Sequence, residues 1–442
     1  MATLPVDALS RILKRLEKMG QHQVSRNAAW IFLGQGANVL LQAGYFVLLA
    51  RLLGVREYGV FAGAFAVVNL VTPYSTLGAG MLFMRHVMVD RVRAAVYWGN
   101  SVAVTAAATV LIAGALFFAG PVLTKTHDHL IFVTLVVANC FFSQIASLGS
   151  LVFQTFEKMR RTALLSLVSN LARFLVLIVM RFTLHHATAF QWSIGVLIAS
   201  GSAAVLSRAW VRAEIGPAAV DRDLILRRVR EGLGFSFAGT TQAAYNDVDK
   251  VMLSHYGLSR ENGFYTLAYR VIDVATTPIV ALDAAVLPRF FRLGQAGMPK
   301  VLRLAIKSAW ASVLLGLGIA VGVLLLAPLI PHIVGRDFSG AIIALRWLCW
   351  IPLLRGLHRA TGGALTGSGR QNLRTATQLV VAAVNFLLNL WWIPEYGWIG
   401  AAWSSVVSDG LLAMLNSLML LWVWRRGLHQ ETEVLVENEI YS

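Results

Sequence analysis

The chain has 442 residues, of which 57% are hydrophobic and only 14% are charged, and its formal net charge is +16. Because soluble proteins have about 25% charged residues, this composition excludes an ordinary soluble domain and favours a polytopic membrane protein. Basic loops that meet anionic lipid head groups then explain the positive charge, and no nucleic-acid partner is expected. The two cysteines lie in apolar stretches and indicate neither a disulfide framework nor a metal site.

Residues 1–26 form a basic leader without the apolar core of a signal peptide. Four apolar residues between Leu9 and Leu16 recur at the spacing of one helical face, and basic residues occupy the opposite face. The pattern predicts a cytoplasmic amphipathic helix that lies on the membrane surface. A solvated and partly frayed leader is the alternative.

Twelve apolar stretches follow, each long enough to cross a hydrocarbon core of about 30 Å as a helix. They cover residues 27–50, 58–84, 95–120, 129–153, 162–181, 188–209, 234–254, 263–287, 303–327, 341–365, 373–393 and 397–424. Of the 38 Lys and Arg residues, 25 fall in segments on the side of the N-terminus, 6 on the opposite side and 7 within spans. Since short basic loops stay in the cytoplasm, both termini are predicted to be cytoplasmic.

The longest connection, 211–233, divides the spans into six and six, and it contains a second predicted amphipathic helix. The predicted organisation is therefore the leader, an N-lobe at 27–210, this cytoplasmic linker, a C-lobe at 234–424 and a cytoplasmic tail at 425–442.

The two halves share a motif. The first half reads GVREYGVFAGAFAVVN at 54–69, and the second reads GLSRENGFYTLAYRVID at 257–273. The R-E-x-G elements align, and Asn69 then aligns with Asp273, 204 positions later. Both copies run from an outward loop into an inward-going helix, which predicts a parallel six-plus-six duplication. The expected fold is thus an all-α polytopic membrane protein of twelve transmembrane helices, in two six-helix lobes related by a parallel pseudo-two-fold axis.

The sequence contains no motif of an enzyme. Walker A, G-x-S-x-G and H-E-x-x-H patterns are absent, and every outward loop is too short for a reactive domain. The glycine-rich segment Gly362–Arg370 is interpreted as a helix stop and tight turn rather than a phosphate cradle. We therefore expect a protein that is not an enzyme.

Charged residues within the spans are the main functional signal, because charge in the bilayer core is costly and usually faces a bundle interior or a wet cavity. The cations predicted to bind an anionic substrate are Arg270, Arg355, Arg359, Lys250 and Arg173. The carboxylates predicted to couple transport to an ion are Asp247, Asp249, Asp273 and Asp409.

Helical spacing refines this prediction. Arg270 and Asp273 share a face at i, i+3, and so do Asp247 and Lys250, so each pair is either functional or a structural ion pair. Asp249 should point away from its neighbours. Arg355 and Arg359 share a face of a helix that supplies no acid, which favours substrate binding. Since Arg270 and Asp273 replace uncharged residues of the first copy, the chemistry is expected mainly in the second lobe.

Polar amides form two further stripes on the predicted spans. They are Gln35, Asn38 and Gln42 in the first span and Asn385 and Asn389 in the eleventh. These amides either line the cavity or hydrogen-bond neighbouring helices.

With these residues in view, the chain resembles Wzx-type oligosaccharide flippases of the multidrug/oligosaccharidyl-lipid/polysaccharide exporter (MOP) superfamily, which includes MATE transporters. The resemblance rests on ARLLGVREYGVFAGAFAVVN at 50–69, DKVMLSHYGLSRENGFYTLAYRV at 249–271 and the ALTGSGR turn, and it extends over about 25–425. It implies a bacterial inner-membrane antiporter driven by a proton or sodium gradient, without another cofactor. The implied substrate is an undecaprenyl-pyrophosphate-linked oligosaccharide, flipped from the cytoplasmic to the periplasmic leaflet for O-antigen or exopolysaccharide biosynthesis. A polysaccharide polymerase and a chain-length regulator are the implied protein partners.

Two other classes remain open. One is a drug or metabolite exporter of the same superfamily. The other is a membrane enzyme such as a polysaccharide polymerase or O-antigen ligase, which should have a large outward loop that this chain lacks.

Overall fold

A computed structural model describes residues 6–440 except 127 and 296, with side chains described for 41–426 apart from those two positions and 228, 229 and 238. The side chains that would form the amphipathic face of the leader lie outside the described residues. All regular secondary structure in the described part of the chain is helical.

The first half forms seven helices. They are α1 (Val6–Ser75), α2 (Ala79–Val87), α3 (Ala94–Thr124), α4 (Leu130–Val136), α5 (Gln144–Thr155), α6 (Met159–Thr183) and α7 (Ala189–Ile215). A π-helix, Val137–Ser143, joins α4 to α5, so these three segments form one span. We refer to α1–α7 as the N-lobe.

The second half forms nine helices. They are α8 (Arg222–His255), α9 (Ser259–Ala275), α10 (Thr277–Gly294), α11 (Met298–Leu326), α12 (Ile330–Val334), α13 (Gly340–Leu348), α14 (Ile351–Gly367), α15 (Gln371–Tyr396) and α16 (Trp398–Ile440). We refer to α8–α16 as the C-lobe. The amphipathic segment predicted in the linker is the beginning of α8, which continues into the seventh span without a break.

Helix α1 contains two spans because it folds back at Gly54. This glycine has φ 69° and ψ 171°, outside the helical region and in the range that residues with a β-carbon avoid. Tyr45 and Phe61 are 16 residues apart, which would be about 24 Å along a straight helix. Both rings nevertheless contact Trp192, at centroid distances of 5.9 and 6.5 Å. The segments before and after Gly54 therefore lie side by side.

The spans agree with the sequence prediction. By length and composition, nine helices of the described residues can cross a membrane, or ten when the pair α9–α10, bent by 43°, counts as one span. Division of α1 at Gly54 into two spans gives eleven. Helix α8 is the twelfth span, and its charged residues lower its hydropathy below that of the other spans. The predicted all-α fold with two six-helix lobes is confirmed.

The repeated glutamate has the same role in both lobes. The Glu57 Oε2 atom accepts a hydrogen bond from the Ala189 backbone amide at 2.8 Å, where α7 begins. The Glu261 Oε2 atom accepts one from the Trp398 amide at 3.3 Å, where α16 begins. The first backbone amides of a helix have no partner within it, and its N-terminus carries partial positive charge. Each glutamate therefore fixes the start of the sixth span of its own lobe.

The repeated glycines bring the two lobes into backbone contact. A β-carbon on Gly59 would overlap the carbonyl oxygen of Ser259, and one on Gly263 would overlap that of Val55. The Asn262 side-chain amide donates to the Gly59 carbonyl at 3.2 Å across the same contact. This contact lies at the end of the bundle that carries the Gly54 turn, here called the Gly54 end. The opposite end, with most of the Lys and Arg residues, is called the basic end.

Candidate functional site

Two adjoining cavities lie on the basic side of the glycine contact. The first, the lobe-interface cavity, has a volume of about 230 Å³ and is lined by both lobes. Its charged lining residues are Arg173 of the N-lobe and Asp247, Lys250 and Arg270 of the C-lobe. The second, the ion-network cavity, has a volume of about 400 Å³ and shares the three C-lobe residues. A ligand bound here would contact both lobes at once.

Arg173 is the cation that the N-lobe contributes. Its Nη2 atom donates to the Ser143 hydroxyl at 3.1 Å, and Ser143 ends the π-helix of the fourth span. Its Nε atom is buried without a hydrogen-bond partner. No carboxylate of the described residues lies within ion-pair distance of this guanidinium. A cation without a carboxylate partner in a cavity is suited to bind an anion.

Lys250 is held between two carboxylates of its own helix. Its ammonium lies 3.0 Å from Asp247 Oδ1 and 3.4 Å from Asp249 Oδ1, and it donates to the Asn246 carbonyl at 2.5 Å. The second oxygen of Asp249 accepts from the Tyr265 hydroxyl at 2.6 Å. The prediction that Asp249 points away from this pair is wrong, because the long lysine side chain reaches both acids.

One hydrogen-bond chain crosses between the lobes at Asp247. Asn69 of the N-lobe donates to Asp247 Oδ2 at 3.1 Å. Asn139, in the π-helix, donates to Asn69 Oδ1 at 3.1 Å. Asp247 therefore joins the amides of the N-lobe to the Lys250 ammonium of the C-lobe.

Arg355 lies between two acids from other helices. Its Nη1 atom is 2.9 Å from Asp273 Oδ1 on α9, and its Nε atom is 3.4 Å from Asp409 Oδ2 on α16. The sequence prediction considered only the acids of α14, which supplies none, and therefore did not identify these two partners. Asp409 is 2% exposed and also accepts from the Tyr245 hydroxyl at 2.6 Å. The predicted Arg270–Asp273 pair is present at 3.6 Å.

Arg359 is directed to a different acid. Its Nη1 atom lies 3.6 Å from Asp283 Oδ2 on α10. Arg355 and Arg359, predicted on one helical face, therefore belong to separate ion pairs. His358, between them, lies with Nε2 3.6 Å from Asp409 Oδ1.

The predicted amide stripes have different positions. Gln42 lines the lobe-interface cavity, whereas the side chains of Gln35 and Asn38 lie outside the described residues. Asn385 donates to the Ser408 hydroxyl at 3.0 Å, and Asn389 donates to Asn385 at 3.0 Å. These two are buried between α15 and α16 and stabilise that helix pair instead of lining a cavity.

Aromatic rings complete the site, and sequence reasoning did not identify them. The Arg270 guanidinium lies over the Phe46 ring at 5.4 Å, which is a contact between lobes. The Tyr269 ring faces both Lys250 and Arg355, at 5.0 and 5.5 Å. Cation–π contacts of this kind stabilise charge in a site with little water. One indication of this role for Tyr269 was available in the sequence, because this residue immediately precedes Arg270 within the repeat.

No group of three His, Cys, Asp or Glu side chains in the described part of the chain could hold a metal ion. The arrangement instead provides three cations and one carboxylate around the lobe-interface cavity, with aromatic and amide groups beside them. Such a site can bind an anion together with polar, ring-shaped groups.

Comparison with solved structures shows the same fold. An inward-facing MATE multidrug transporter of the MOP superfamily matches with a TM-score of 0.71 and 14% identity, over 88% of this chain and 94% of that one. The lipid II flippase MurJ, in an inward closed conformation, matches with a TM-score of 0.71 and 12% identity, over 93% and 92%. A MOP superfamily transporter from Pyrococcus furiosus matches with a TM-score of 0.58 and 13% identity, over 90% and 95%.

No curated protein sequence shows significant similarity to the chain. A family model described as polysaccharide biosynthesis protein matches residues 24–294, which is more than half of the chain. This multi-pass membrane protein with a MOP transporter fold therefore belongs to the polysaccharide biosynthesis protein family.

Proposed function

We propose that the protein flips undecaprenyl-pyrophosphate-linked oligosaccharide repeat units across the bacterial inner membrane for O-antigen or exopolysaccharide biosynthesis. The basic end faces the cytoplasm, as the distribution of Lys and Arg indicates, and the substrate is loaded from that side. Family membership and the shared fold with a lipid II flippase support this class of substrate. A polysaccharide polymerase and a chain-length regulator would act on the flipped product.

The observation that carries the proposal is the charge of the lobe-interface cavity. Arg173 has no carboxylate partner among the described residues, while Arg270 is held by Asp273 and by the Phe46 ring. A pyrophosphate placed between them would receive charge-assisted hydrogen bonds from both lobes. Gln42 and the neighbouring aromatic rings provide the polar and flat surfaces that a sugar requires.

The test is translocation of lipid-linked oligosaccharide in proteoliposomes, followed by exposure of the sugar to an added glycosidase. Arg173→Gln should lower the initial rate about tenfold, the effect of losing one hydrogen bond to a charged group. Arg181→Gln is the matched control, since Arg181 lies on the same helix but is exposed at the Gly54 end. Equal rates for both variants would refute the role of Arg173, and no translocation by the wild-type protein would refute the substrate.

For coupling, the proposal assigns the exchanged proton or sodium ion to Asp247. Of the predicted carboxylates, Asp247 is the one that contacts both lobes, through Asn69 and Lys250. A cation bound to Asp247 would compete with Lys250 and with the Asn69 amide, and loss of the Asn69 hydrogen bond would loosen the contact between the lobes. Asp247→Asn should abolish the dependence of transport on an imposed gradient. Unchanged transport by the wild-type protein with all gradients collapsed would exclude ion coupling.

A drug or metabolite exporter is the alternative within the same fold. Lys250 and Arg270 are paired with carboxylates of the C-lobe, but Arg173 has no carboxylate partner among the described residues. Its charge would repel a cationic drug from the N-lobe wall of the lobe-interface cavity, which favours an anionic substrate. Stabilisation of the purified protein by cationic drugs, with no response to lipid-linked sugars, would support the alternative.

A further inference from the structure

A third cavity, here called the side pocket, lies within the C-lobe between α8, α14 and α15. It has a volume of about 320 Å³, within the range of small-ligand sites. Its lining includes the cations Arg359 and Arg374, with His358 beside them, and no carboxylate of the described residues. The remaining polar lining consists of Gln side chains, whose amides can donate hydrogen bonds, and of hydroxyl groups. The Tyr245 hydroxyl already donates to Asp409, and the two Thr hydroxyls donate to backbone carbonyls.

Arg374 is built into the wall of this pocket. Its Nη1 atom donates to the Thr366 hydroxyl at 2.9 Å, and no described carboxylate lies within ion-pair distance. A β-carbon on Gly362 would lie 3.1 Å from Arg374 Nε, so the missing side chain at this glycine leaves room for the guanidinium. Arg374 is half-buried, whereas Arg370, one helical turn away, is exposed. The sequence prediction counted both as ordinary loop cations.

Arg359 supplies the second cation. It lies 3.6 Å from Asp283, but its Nε atom is buried without a hydrogen-bond partner. Asp283 thus neutralises Arg359, and the positive charge of Arg374 is left for a ligand.

The pocket lies near the basic end and has exposed apolar side chains in its lining. Arg374 is three residues, about 5 Å, into α15 from that end, and Arg359 is eight residues, about 12 Å, from the end of α14. Phe237 and Leu379 line the opening and are 60% and 42% exposed. Exposed apolar side chains on a membrane-spanning helix face hydrocarbon. The two cations lie at the depth of one lipid leaflet, behind an apolar rim. This arrangement suits an amphiphile whose anionic head group reaches the cations while its apolar chain contacts the rim.

The pocket also adjoins the transport site. Gln242, Tyr245, His358 and Arg359 line both the side pocket and the ion-network cavity. A head group in the side pocket would therefore lie one layer of side chains from the Arg355–Asp409 pair.

We infer that the side pocket binds the phosphate of a membrane lipid from the basic-end leaflet, through the guanidinium groups of Arg359 and Arg374, with the lipid chain against Phe237 and Leu379. Phosphate fits better than carboxylate because two planar guanidinium forks and several amides can be satisfied by its additional oxygens. The inference does not depend on the proposed function, since binding can be measured without transport.

The test is native mass spectrometry of the detergent-solubilised full-length protein with four probes. The probes are farnesyl diphosphate, phosphatidylglycerol, diacylglycerol as the lipid without phosphate, and inorganic pyrophosphate as the phosphate without a chain. The variants are Arg374→Gln, Arg374→Lys and the matched control Arg370→Gln. Arg374→Gln should raise the dissociation constant of a phosphate-bearing lipid about tenfold, Arg374→Lys should raise it less, and Arg370→Gln should leave it unchanged.

The probes separate the sources of the phosphate. An effect confined to farnesyl diphosphate identifies a prenyl diphosphate, as a transported lipid would carry, and an effect confined to phosphatidylglycerol identifies a bulk phospholipid. Equal binding by Arg374→Gln and Arg370→Gln for every probe overturns the inference. The inference is also overturned if Arg374→Gln weakens the binding of diacylglycerol as much as that of the phosphate-bearing lipids. A response to inorganic pyrophosphate alone overturns the lipid part. Arg173 is unaltered in all of these variants. Failure of the side-pocket inference therefore says nothing about the lobe-interface cavity and is distinguishable from failure of the proposed function.

Discussion

Replacement of Arg355 by Gln should destabilise the C-lobe strongly. Arg355 is 16% exposed and lies 2.9 Å from Asp273 and 3.4 Å from Asp409. After the replacement, Asp409 would keep the Tyr245 hydroxyl as its closest donor but lose its permanent cation. Breaking a buried ion pair by removal of one partner costs about 3–5 kcal/mol, because a buried charge is left uncompensated. The amide of Gln can still donate one hydrogen bond, so we expect a loss near the lower value, about 3 kcal/mol.

The measurement is the free energy of unfolding in mixed detergent micelles with increasing dodecyl sulfate. Arg346→Gln is the matched control, because Arg346 is an exposed residue on the preceding helix and its loss should change stability by less than about 0.5 kcal/mol. The double variant Arg355→Gln/Asp409→Asn removes both charges of the pair. It should lose about 1–3 kcal/mol less than the sum of the single variants, as contacting residues do.

Additive losses, together with an Arg355→Gln variant as stable as Arg346→Gln, would refute the reasoning. Arg355 would then be free of its acids in the membrane and available to a substrate. The experiment thus distinguishes a structural guanidinium from a binding one.

Three smaller predictions test the other contacts. Glu57→Ala should lower the free energy of unfolding by about 1 kcal/mol, because the first backbone amides of α7 lose their acceptor. Arg56→Ala, at the exposed neighbouring position, should change it by less than about 0.5 kcal/mol, and equal effects of the two variants would contradict the capping role. Gly263→Val should separate the lobes at the Gly54 end and therefore speed amide hydrogen exchange in α9. Unchanged exchange would show that the glycine contact does not hold the two lobes together. Gly362→Ala should weaken binding of a phosphate-bearing lipid by pressing on Arg374, a few-fold in native mass spectrometry, and unaltered binding would mean that this guanidinium moves without loss.

The spans could be predicted from the sequence because a helix in lipid must satisfy its own backbone and present a long apolar surface. This requirement is local, so the order and approximate bounds of all twelve follow from hydropathy. The seventh span was predicted as an apolar stretch at 234–254, although the charged residues of α8 keep its hydropathy below that of the other spans. The repeat also contains the Gly54 turn and the capping glutamates, and the structure was needed to show the role of each.

The ion pairs were predictable only within one helix. Arg270–Asp273 and Asp247–Lys250 were found because residues three apart share a helical face. The partners of Arg355 come from α9 and α16, and sequence spacing carries no information on how distant helices are rotated against each other. The prediction for Asp249 was wrong for a related reason. The 100° rotation between neighbouring residues describes the directions of their Cα–Cβ bonds, and it ignores the length of the lysine side chain, which reaches Asp249.

The duplication explains why the site is asymmetric. Both copies keep the capping glutamate and the repeated glycine, Gly59 or Gly263, because these residues serve packing in each lobe. At the positions around the cavity the copies differ: Phe46 of the first corresponds to Lys250 of the second, and Ala66 corresponds to Arg270.

The consequence of this asymmetry concerns how the lobes can move. Arg270 rests on Phe46 across the interface, while Lys250 is neutralised within its own lobe. The C-lobe therefore carries its cavity charges as closed pairs that survive separation of the lobes. Arg173 of the N-lobe has no carboxylate partner among the described residues, and an anionic ligand that bridges the two halves would supply one. An anionic ligand would thus stabilise the closed arrangement more than the open one, which is the differential affinity that alternating access requires.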